Sequence, residues 1–139
     1  MPVFISYSHT DADMVDRIAS SLVKENVHVW IDKWELNYGD SLLEKIQEAI
    51  SASSVLLVML SAKSIDSAWC KKELNAGLVR ELEERRVLVV PVLLEDCPIP
   101  LFLKEKYYAD FRGGFTKAMA KLQTSLQRMT DVTLNRVTN

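Results

Sequence analysis

Four short runs of apolar, largely β-branched residues constrain the fold of this chain more than any other feature. Apolar side chains occupy both odd and even positions within each run. A strand with one face in water would instead alternate apolar and polar residues. We therefore expect strands that are buried on both faces, as in a parallel sheet between two layers of helices. The runs are Val3–Tyr7, Val27–Ile31, Val55–Leu60 and Val87–Leu94.

Amphipathic segments with helix-start signals separate these runs. Thr10 and Asp13 have the spacing of a capping box, as do Ser41 and Glu44. Each pair is followed by apolar residues at helical spacing, which predicts one buried face per helix. The apolar positions are Val15, Ile18, Ala19 and Leu22 in the first helix, and Leu43, Ile46 and Ile50 in the second.

Two further helices and a weak fifth strand are predicted in the rest of the chain. The third helix begins near Ser67 and runs to about Glu84, and the last helix spans Phe115–Met129. The two prolines of "EDCPIP" predict a loop after the fourth strand. "KYYADF" is the weaker fifth strand, and the final "TDVTLNRVTN" is polar and aperiodic.

This alternation predicts an α/β fold with a flavodoxin-like five-stranded parallel sheet, order 2-1-3-4-5, and helices on both faces. A chain of 139 residues is the size of one domain, predicted here over 1–129 with a polar tail or linker over 130–139. Ligands of such sheets bind outside the carboxyl ends of the first and third strands. The segments to inspect are therefore Ser6–Asp11, Asp32–Asp40 and Ser61–Glu73.

Composition excludes several functional classes. The net charge of −2 comes without a basic stripe, so nucleic acid is not an expected partner. No apolar run is long enough to cross a bilayer, and "MPVFISYS" lacks the charged start of a signal peptide. Cys70 and Cys97 form no disulfide pattern, which predicts a reducing compartment and a cytoplasmic location. His9 and His28 stand apart from any ligand cluster, so no metal site is expected.

The stretch "WCKKEL" places a tryptophan four residues before a glutamate at this predicted edge of the sheet. On a helical wheel, Trp69 and Glu73 are neighbours. One face of the wheel carries Cys70, Leu74, Leu78 and Leu82, and another carries Trp69, Glu73, Ala76 and Arg80. Spacing alone leaves two interpretations open: Trp69 packs beneath the preceding loop while Glu73 is solvated, or the pair lines a functional site.

Three segments together favour a functional site. "VFISYSHTD", "WIDKWELNYGDSLLEKIQEAISAS" and "LSAKSIDSAWCKKEL" strongly resemble, in order and spacing, the Toll/interleukin-1 receptor (TIR) domain family in its prokaryotic style. The resemblance extends from about Val3 to Phe115. Many similar TIR domains hydrolyse or cyclise NAD⁺ with release of nicotinamide, so it implies that NAD⁺ is the substrate and that no cofactor is required.

The resemblance also implies roles for individual residues. Glu73 matches the catalytic glutamate, and Trp69 matches a wall of the pocket for the nicotinamide ribose. Tyr7 and His9 match the loop after the first strand that approaches the dinucleotide.

The loop after the second strand in the family gates the pocket and contacts a neighbouring subunit. Tyr38 replaces the proline that animal receptors carry before Gly39 of this loop, which makes receptor-style adaptor pairing less expected. The resemblance implies substrate contacts by Trp34 and Asn37 and assembly contacts by Glu35, Tyr38, Gly39 and Asp40. Self-association is therefore an expected interaction, and a sensor domain or partner that triggers it is a further candidate.

One carboxylate suffices for the implied reaction. Nicotinamide leaves as a neutral molecule, so no general acid is needed, in contrast to ordinary glycoside hydrolysis. An anion that stabilises an oxocarbenium-like ribose and accepts its hydroxyls is enough. The chain lacks a G-x-G-x-x-G phosphate loop, so weak NAD⁺ binding by a single copy is expected.

Three functions compete on this sequence. The first is an NAD⁺ glycohydrolase or cyclase gated by self-assembly, with signalling or antiphage defence as the role that the family suggests. The second is a non-catalytic TIR–TIR interaction module, in which Glu73 is incidental. The third is a phosphoacceptor receiver, which we reject because Ser61 stands at the end of the third strand where a receiver needs aspartate.

Overall fold

The computed structural model describes residues 2–31, 54–66, 75–104, 106 and 108–138, the last ten of these as backbone. Within these ranges, five strands form one parallel sheet in the order β2-β1-β3-β4-β5, which confirms the predicted topology. The short hydrogen-bonded strands at the two edges are β2 and β5. The bounds are β1 Pro2–Ser6, β2 His28–Trp30, β3 Ser54–Leu60, β4 Val87–Leu93 and β5 Ala109–Asp110.

Helices cover both faces of this sheet. α1 and α5 pack against one face, and α3 and α4 pack against the other. The short helix α2 directly follows the central strand β3, and a 3₁₀ turn over His9–Asp11 precedes α1. The helix bounds are α1 Ala12–Lys24, α2 Ala62–Asp66, α3 Ala76–Glu84, α4 Leu101–Lys104 and α5 Phe115–Thr138.

Strand β3 shows why apolar residues occupy both odd and even positions of the predicted strands. Its odd residues lie in the core beneath α1 and α5, and its even residues lie in the core beneath α3 and α4. Each side chain from Val55 to Leu60 is at most 1% exposed. Since successive side chains of a strand point to opposite faces, a strand covered on both sides must be apolar at every position.

Helix α1 confirms the predicted buried face but not the predicted start. Val15, Ile18, Ala19 and Leu22 are all buried against the sheet. The capping box at Thr10 is wrong, because Thr10 lies inside the 3₁₀ turn and its Oγ1 is 3.1 Å from Ser8 Oγ. The residue that precedes α1 is Asp11, whose side chain makes no capping hydrogen bond to the helix.

The end of α1 makes a sharp turn into the edge strand β2. Asn26 has a positive φ of 63° and its N–H donates to the Val23 carbonyl, while the N–H of Val27 donates to the Leu22 carbonyl. This pair of bonds is a Schellman motif, which satisfies the last carbonyls of a helix. Arg86, with φ 67°, occupies the corresponding position between α3 and β4. Both residues lie at the amino edge of the sheet.

A continuous third helix from Ser67 to Glu84 is wrong. Asn75 has extended dihedral angles, φ −148° and ψ 172°, and its Oδ1 accepts the N–H of Leu78 at 2.9 Å. Asparagine competes with helical backbone bonds in this way and therefore favours an N-cap over a helix interior. Consequently Ala76 and Arg80 do not continue a single helical face from Trp69 and Glu73, and the residues that α3 buries are Val79 and Leu82.

The carboxyl-terminal helix extends further than predicted. Met129 is not its last residue, because α5 continues to Thr138. No glycine or proline interrupts the sequence over this segment, so backbone hydrogen bonding can propagate despite the loss of apolar periodicity. The short helix α4 after the "EDCPIP" loop was not predicted. The predicted second helix, from Ser41, lies outside the described residues.

Leu22→Ala is expected to reduce the free energy of unfolding by about 2–5 kcal/mol, because it leaves a cavity where a fully buried side chain packs against the sheet. Val23→Ala is the adjacent control. Since Val23 is 57% exposed, its truncation should change the free energy by less than about 0.5 kcal/mol. Urea unfolding of both variants checks this, and equal losses would contradict the assigned face of α1.

Candidate functional site at the carboxyl edge of the sheet

A hydrogen bond joins the residues that follow β1 and β3 at the carboxyl edge of the sheet. Ser61 directly follows β3, and Asp11 closes the 3₁₀ turn after β1. The Ser61 hydroxyl donates to Asp11 Oδ2 at 2.5 Å, across fifty positions of sequence. Such a short O–H···O⁻ distance is typical of a charge-assisted hydrogen bond. The two central strands are thus connected where the topology predicts ligand binding.

Ser61 also begins the helix α2. Its N–H donates to Ser64 Oγ at 2.8 Å, and the N–H of Ser64 donates to Ser61 Oγ at 3.1 Å. Both serines are buried. This reciprocal pairing is the geometry of a capping box, here with serine instead of glutamate at its third position. The Ser61 hydroxyl therefore accepts from one backbone amide while donating to Asp11.

The end of β4 adds a third segment to the same edge. Glu95 Oε1 accepts the N–H of Ala62 at 2.8 Å, which satisfies the first amide of α2. The N–H of Leu94 donates to the Leu60 carbonyl at 2.9 Å and keeps this segment beside β3. The residues after β1, β3 and β4 are therefore connected by hydrogen bonds.

Among the described residues of this edge, several acidic side chains lie close enough to affect one another. Burial raises the pKa of Asp11, the hydrogen bond from Ser61 opposes that change, and the charge of Glu95 adds to it. Burial also raises the pKa of the Cys97 thiol, with the negative charges of Glu95 and Asp96 as the next causes. These acidic side chains stabilise positive charge that develops close to them.

Arg112 neutralises the neighbouring part of the edge, beyond β5. Its guanidinium donates two hydrogen bonds to Asp110 at 2.9 Å and one to Asp96 at 2.5 Å. The two guanidinium bonds to Asp110, together with a bond from the Arg112 backbone N–H, lower the pKa of Asp110 to about 2. The stabilisation from this pair is present above the ordinary pKa of 3.8 and is lost as the pH falls towards 2.

Two of the predicted substrate-binding residues lie at this edge. Tyr7 follows β1, is half-buried, and packs against the core beneath α1 and α5. His9 is exposed and begins the 3₁₀ turn. Both residues precede Asp11 in the short segment after β1, and their contacts with substrate stay predictions. The other predicted site residues lie outside the described residues: Trp34, Glu35, Asn37, Tyr38, Gly39, Asp40, Trp69 and Glu73.

Elsewhere among the described residues, few features could form a different functional site. No group of three or more His, Cys, Asp or Glu side chains among them could hold a metal ion. His28 begins β2, as predicted, and stacks on Trp30 with ring centroids 5.1 Å apart. In the same part of the chain, no helix has both the length and the hydropathy needed to cross a bilayer.

Asp11 and Ser61 lie in the segments that the sequence marked for inspection but were not named as site residues, and Glu95 lies outside those segments. A polar residue after each of three neighbouring parallel strands is the signal that could have identified them, since carboxyl ends meet at one edge. Their pairing was not predictable in detail, because a hydrogen bond over fifty residues depends on the strand register.

Comparison with known proteins identifies the family. The family model described as "TIR domain" matches residues 3–123, most of the chain. The chain belongs to the TIR domain family. The resemblance expected from the three sequence segments is thereby confirmed, and it holds across the sheet and most of the helices.

Curated relatives of this TIR domain carry enzymatic names. An NAD(+) hydrolase of a Theionarchaea archaeon is 31% identical over 63% of this chain and 27% of its own length. A 2′ cyclic ADP-D-ribose synthase of Bacteroides thetaiotaomicron is 33% identical over 62% of this chain and 30% of its own length. Another such synthase, from Acinetobacter baumannii, is 27% identical over 96% and 49%. The chain thus spans half or less of the length of these relatives.

Solved structures support the fold. The TIR domain of a Toll-related receptor from Hydra magnipapillata aligns with 92% of this chain and 97% of its own, with a TM-score of 0.64 and 18% identity. The TIR domains of the activated Roq1 resistosome, which recognises the pathogen effector XopQ, align with 90% of this chain and 98% of theirs, with a TM-score of 0.61 and 19% identity. At these identities the likeness concerns the fold alone.

Asp11→Asn should remove a contribution to stability whose pH dependence is opposite to that of most aspartates. Because folding raises the pKa of Asp11 above 3.8, the native state holds this proton more tightly than the unfolded chain does. The contribution is therefore fully present below pH 3.8 and is lost as the pH rises through the raised pKa. The free energy of unfolding of the unsubstituted chain, minus that of Asp11→Asn, should therefore fall as the pH rises from 3.8 through the raised pKa of Asp11.

Urea unfolding across a pH series measures this difference. Asp16→Asn, the same change at an exposed position of α1, leaves Asp11 in place and should keep the pH dependence of the unsubstituted chain over the interval. A difference for Asp11→Asn that grows with pH would show that Asp11 is a stabilised anion in the native state and would refute the burial argument.

Proposed function

We propose that this TIR domain is an NAD⁺ nucleosidase, which cleaves the bond between nicotinamide and ribose with Glu73 as the catalytic carboxylate. Two observations support the proposal. Relatives at 31–33% identity are named NAD(+) hydrolases and cyclic ADP-ribose synthases. The sequence also has a tryptophan four residues before a glutamate, Trp69 and Glu73, which is the W-x-x-x-E spacing that the resemblance to prokaryotic TIR domains assigns to catalysis.

The fold directs the substrate to one edge of the sheet. Both faces are filled by apolar side chains beneath helices, so neither face can admit a polar dinucleotide without loss of the core. The carboxyl edge instead offers polar groups from β1, β3 and β4 that already form hydrogen bonds. This location is the observation that carries the proposal, because Tyr7 and His9 follow β1 at that edge and Ser61 follows β3 there. Glu73 lies outside the described residues, and its place at the same edge is part of the proposal.

The charge of the edge suits the proposed chemistry. The C1′–N bond breaks and its electron pair goes to the ring nitrogen, so the cationic pyridinium leaves as neutral nicotinamide. Positive charge then develops on the ribose, where a carboxylate stabilises it most strongly. No proton has to be supplied to the leaving group, so the single carboxylate of Glu73 suffices and the second acid of ordinary glycosidases is unnecessary.

The fate of the ribosyl cation decides the product. Water attack at C1′ with loss of a proton gives linear ADP-ribose, and attack by a hydroxyl of the same molecule gives a cyclic isomer. Relatives with both kinds of name match this chain at similar identity. We therefore propose nucleosidase activity with either product, and chromatography of the products distinguishes them.

Self-association is proposed as the switch for this activity. The chain has no G-x-G-x-x-G loop to bind the pyrophosphate, so one copy alone should bind NAD⁺ weakly. The segment Trp34–Asp40 is the proposed contact between copies and, through Trp34 and Asn37, a wall of the site. A structural neighbour belongs to an assembled resistosome. A sensor domain or partner as trigger, a role in defence and a cytoplasmic location remain predictions from the sequence.

The alternative is a non-catalytic module in which the same surfaces serve TIR–TIR contacts only. Its support is the structural likeness to a receptor domain, which concerns the fold. An interaction module has no chemical need for a carboxylate at position 73, so substitution of Glu73 separates the two functions.

Glu73→Gln should lower the rate of nicotinamide release from NAD⁺ by at least about a hundredfold, because it removes the anion that opposes the developing positive charge. Liquid chromatography of nicotinamide with the purified chain measures the rate. Glu84→Gln makes the same chemical change at an exposed end of α3 and should retain full activity. Equal rates for both variants would defeat the catalytic assignment.

Specific activity should rise with protein concentration, because copies that associate complete the substrate site. Nicotinamide release per mole of chain, measured over a concentration series and again with a molecular crowder, checks this expectation. Glu35→Ala, at a proposed assembly contact, should flatten the concentration dependence. Specific activity that is constant across the series would show that a single copy carries a complete site.

A further inference from the structure

The Asp11 carboxylate makes a long-range contact. Asp11 closes the 3₁₀ turn and immediately precedes α1, and its side chain makes no hydrogen bond to the first turn of that helix. Its φ of −98° and ψ of 6° are not the extended angles of a capping residue, so the carboxylate is available to another partner. It accepts the hydrogen bond of the Ser61 hydroxyl, in a part-buried position where burial raises the pKa of the carboxyl. Part of the carboxylate's hydration is given up for this contact.

Helix α2 does not need Asp11. Ser61 and Ser64 satisfy each other's amides, and Glu95 accepts the amide of Ala62. Three amides at the start of α2 are therefore satisfied by Ser61, Ser64 and Glu95. What the Asp11–Ser61 hydrogen bond adds is a connection between the turn after β1 and the end of β3.

That connection acts directly on His9. Asp11 and His9 belong to the same 3₁₀ turn, and the Asp11 N–H donates to the Ser8 carbonyl at 2.8 Å. A shift of Asp11 must therefore shift the turn and, with it, the segment that runs back to Tyr7. Ser61 cannot follow such a shift, because it is 1% exposed and continues the central strand.

We propose that Asp11 and Ser61 are positioning residues for the dinucleotide: their hydrogen bond holds the Tyr7–Asp11 turn against the end of β3 and thereby sets the affinity for NAD⁺. This inference rests on the proposed NAD⁺ nucleosidase activity and adds two residues to it. Neither residue takes part in bond cleavage. Loss of their hydrogen bond should therefore affect substrate binding more than the chemical step.

The test measures KM and kcat for nicotinamide release by the complete chain and three variants. Asp11→Ala should raise KM about tenfold, equivalent to about 1.4 kcal/mol, and leave kcat within about threefold. Asp11→Asn should restore most of the affinity, because its amide oxygen can still accept the Ser61 hydroxyl. Ser64→Ala disturbs the cap of α2 but leaves the Asp11–Ser61 bond, so its KM should stay within about twofold of the unsubstituted chain.

A double-mutant cycle on urea unfolding examines the bond itself, without any substrate. Asp11→Ala and Ser61→Ala should be coupled, so that the unfolding constant of the double variant differs at least about fivefold from the product of the single effects. Asp11→Ala and Ser64→Ala should be coupled less than the first pair, because Ser61 bonds to both residues and stands between them in this chain of hydrogen bonds.

Each outcome has a distinct meaning. Coupling together with a raised KM that Asp11→Asn restores supports the inference. Coupling with an unchanged KM overturns it and leaves the bond a purely structural one. Equal increases of KM in Asp11→Ala and Ser64→Ala also overturn it, because general loosening of the edge then explains the effect. If the unsubstituted chain releases no nicotinamide under assembling conditions, the proposed function itself fails, and the inference fails with it.

Discussion

Burial of both faces of the central sheet is the constraint on which the remaining structure depends. Six consecutive side chains of β3, from Val55 to Leu60, are at most 1% exposed. At about 1.5–3 kcal/mol for each fully buried aliphatic side chain, this strand alone makes a large contribution to the stability of the fold. The same burial leaves a polar ligand only the edges of the sheet. The carboxyl edge is the one where segments from β1, β3 and β4 form hydrogen bonds with each other.

Polar groups at that edge are organised by the strand they follow. Ser61 directly follows the buried strand β3. Its hydrogen bonds with Ser64 and Asp11 connect the end of β3 to helix α2 and to the turn after β1. Because Asp11 is bound to Ser61, the turn with His9 is held beside the end of the buried central strand β3. A proposed reaction that needs one carboxylate and well-placed walls, and no general acid, fits such an edge.

The apolar periodicity of the sequence predicted the strands and the buried faces of helices. It did not predict where helices begin, because side-chain hydrogen bonds to the backbone decide that locally. Strand order and the buried face of α1 follow from apolar spacing, and both are confirmed. The continuous third helix was wrong because Asn75 caps a new helix with its side chain. The capping box at Thr10 was wrong because that residue lies in a 3₁₀ turn with its hydroxyl beside Ser8. The Asp11–Ser61 hydrogen bond depends on how β1 and β3 are aligned in the sheet, and the spacing of apolar residues within each segment does not determine that alignment. For Trp69 and Glu73, which lie outside the described residues, spacing and resemblance are the evidence.

NAD⁺ titrated into the ¹⁵N-labelled Glu73→Gln chain, followed by two-dimensional NMR, tests most directly whether this edge is the substrate site. The account predicts shifts of the backbone amides of Tyr7–Asp11 and Ser61–Ser64. Asn26 and Arg86, in the turns at the opposite edge of the sheet, should stay unperturbed. Perturbations confined to those opposite turns, or none at saturating NAD⁺, would contradict it.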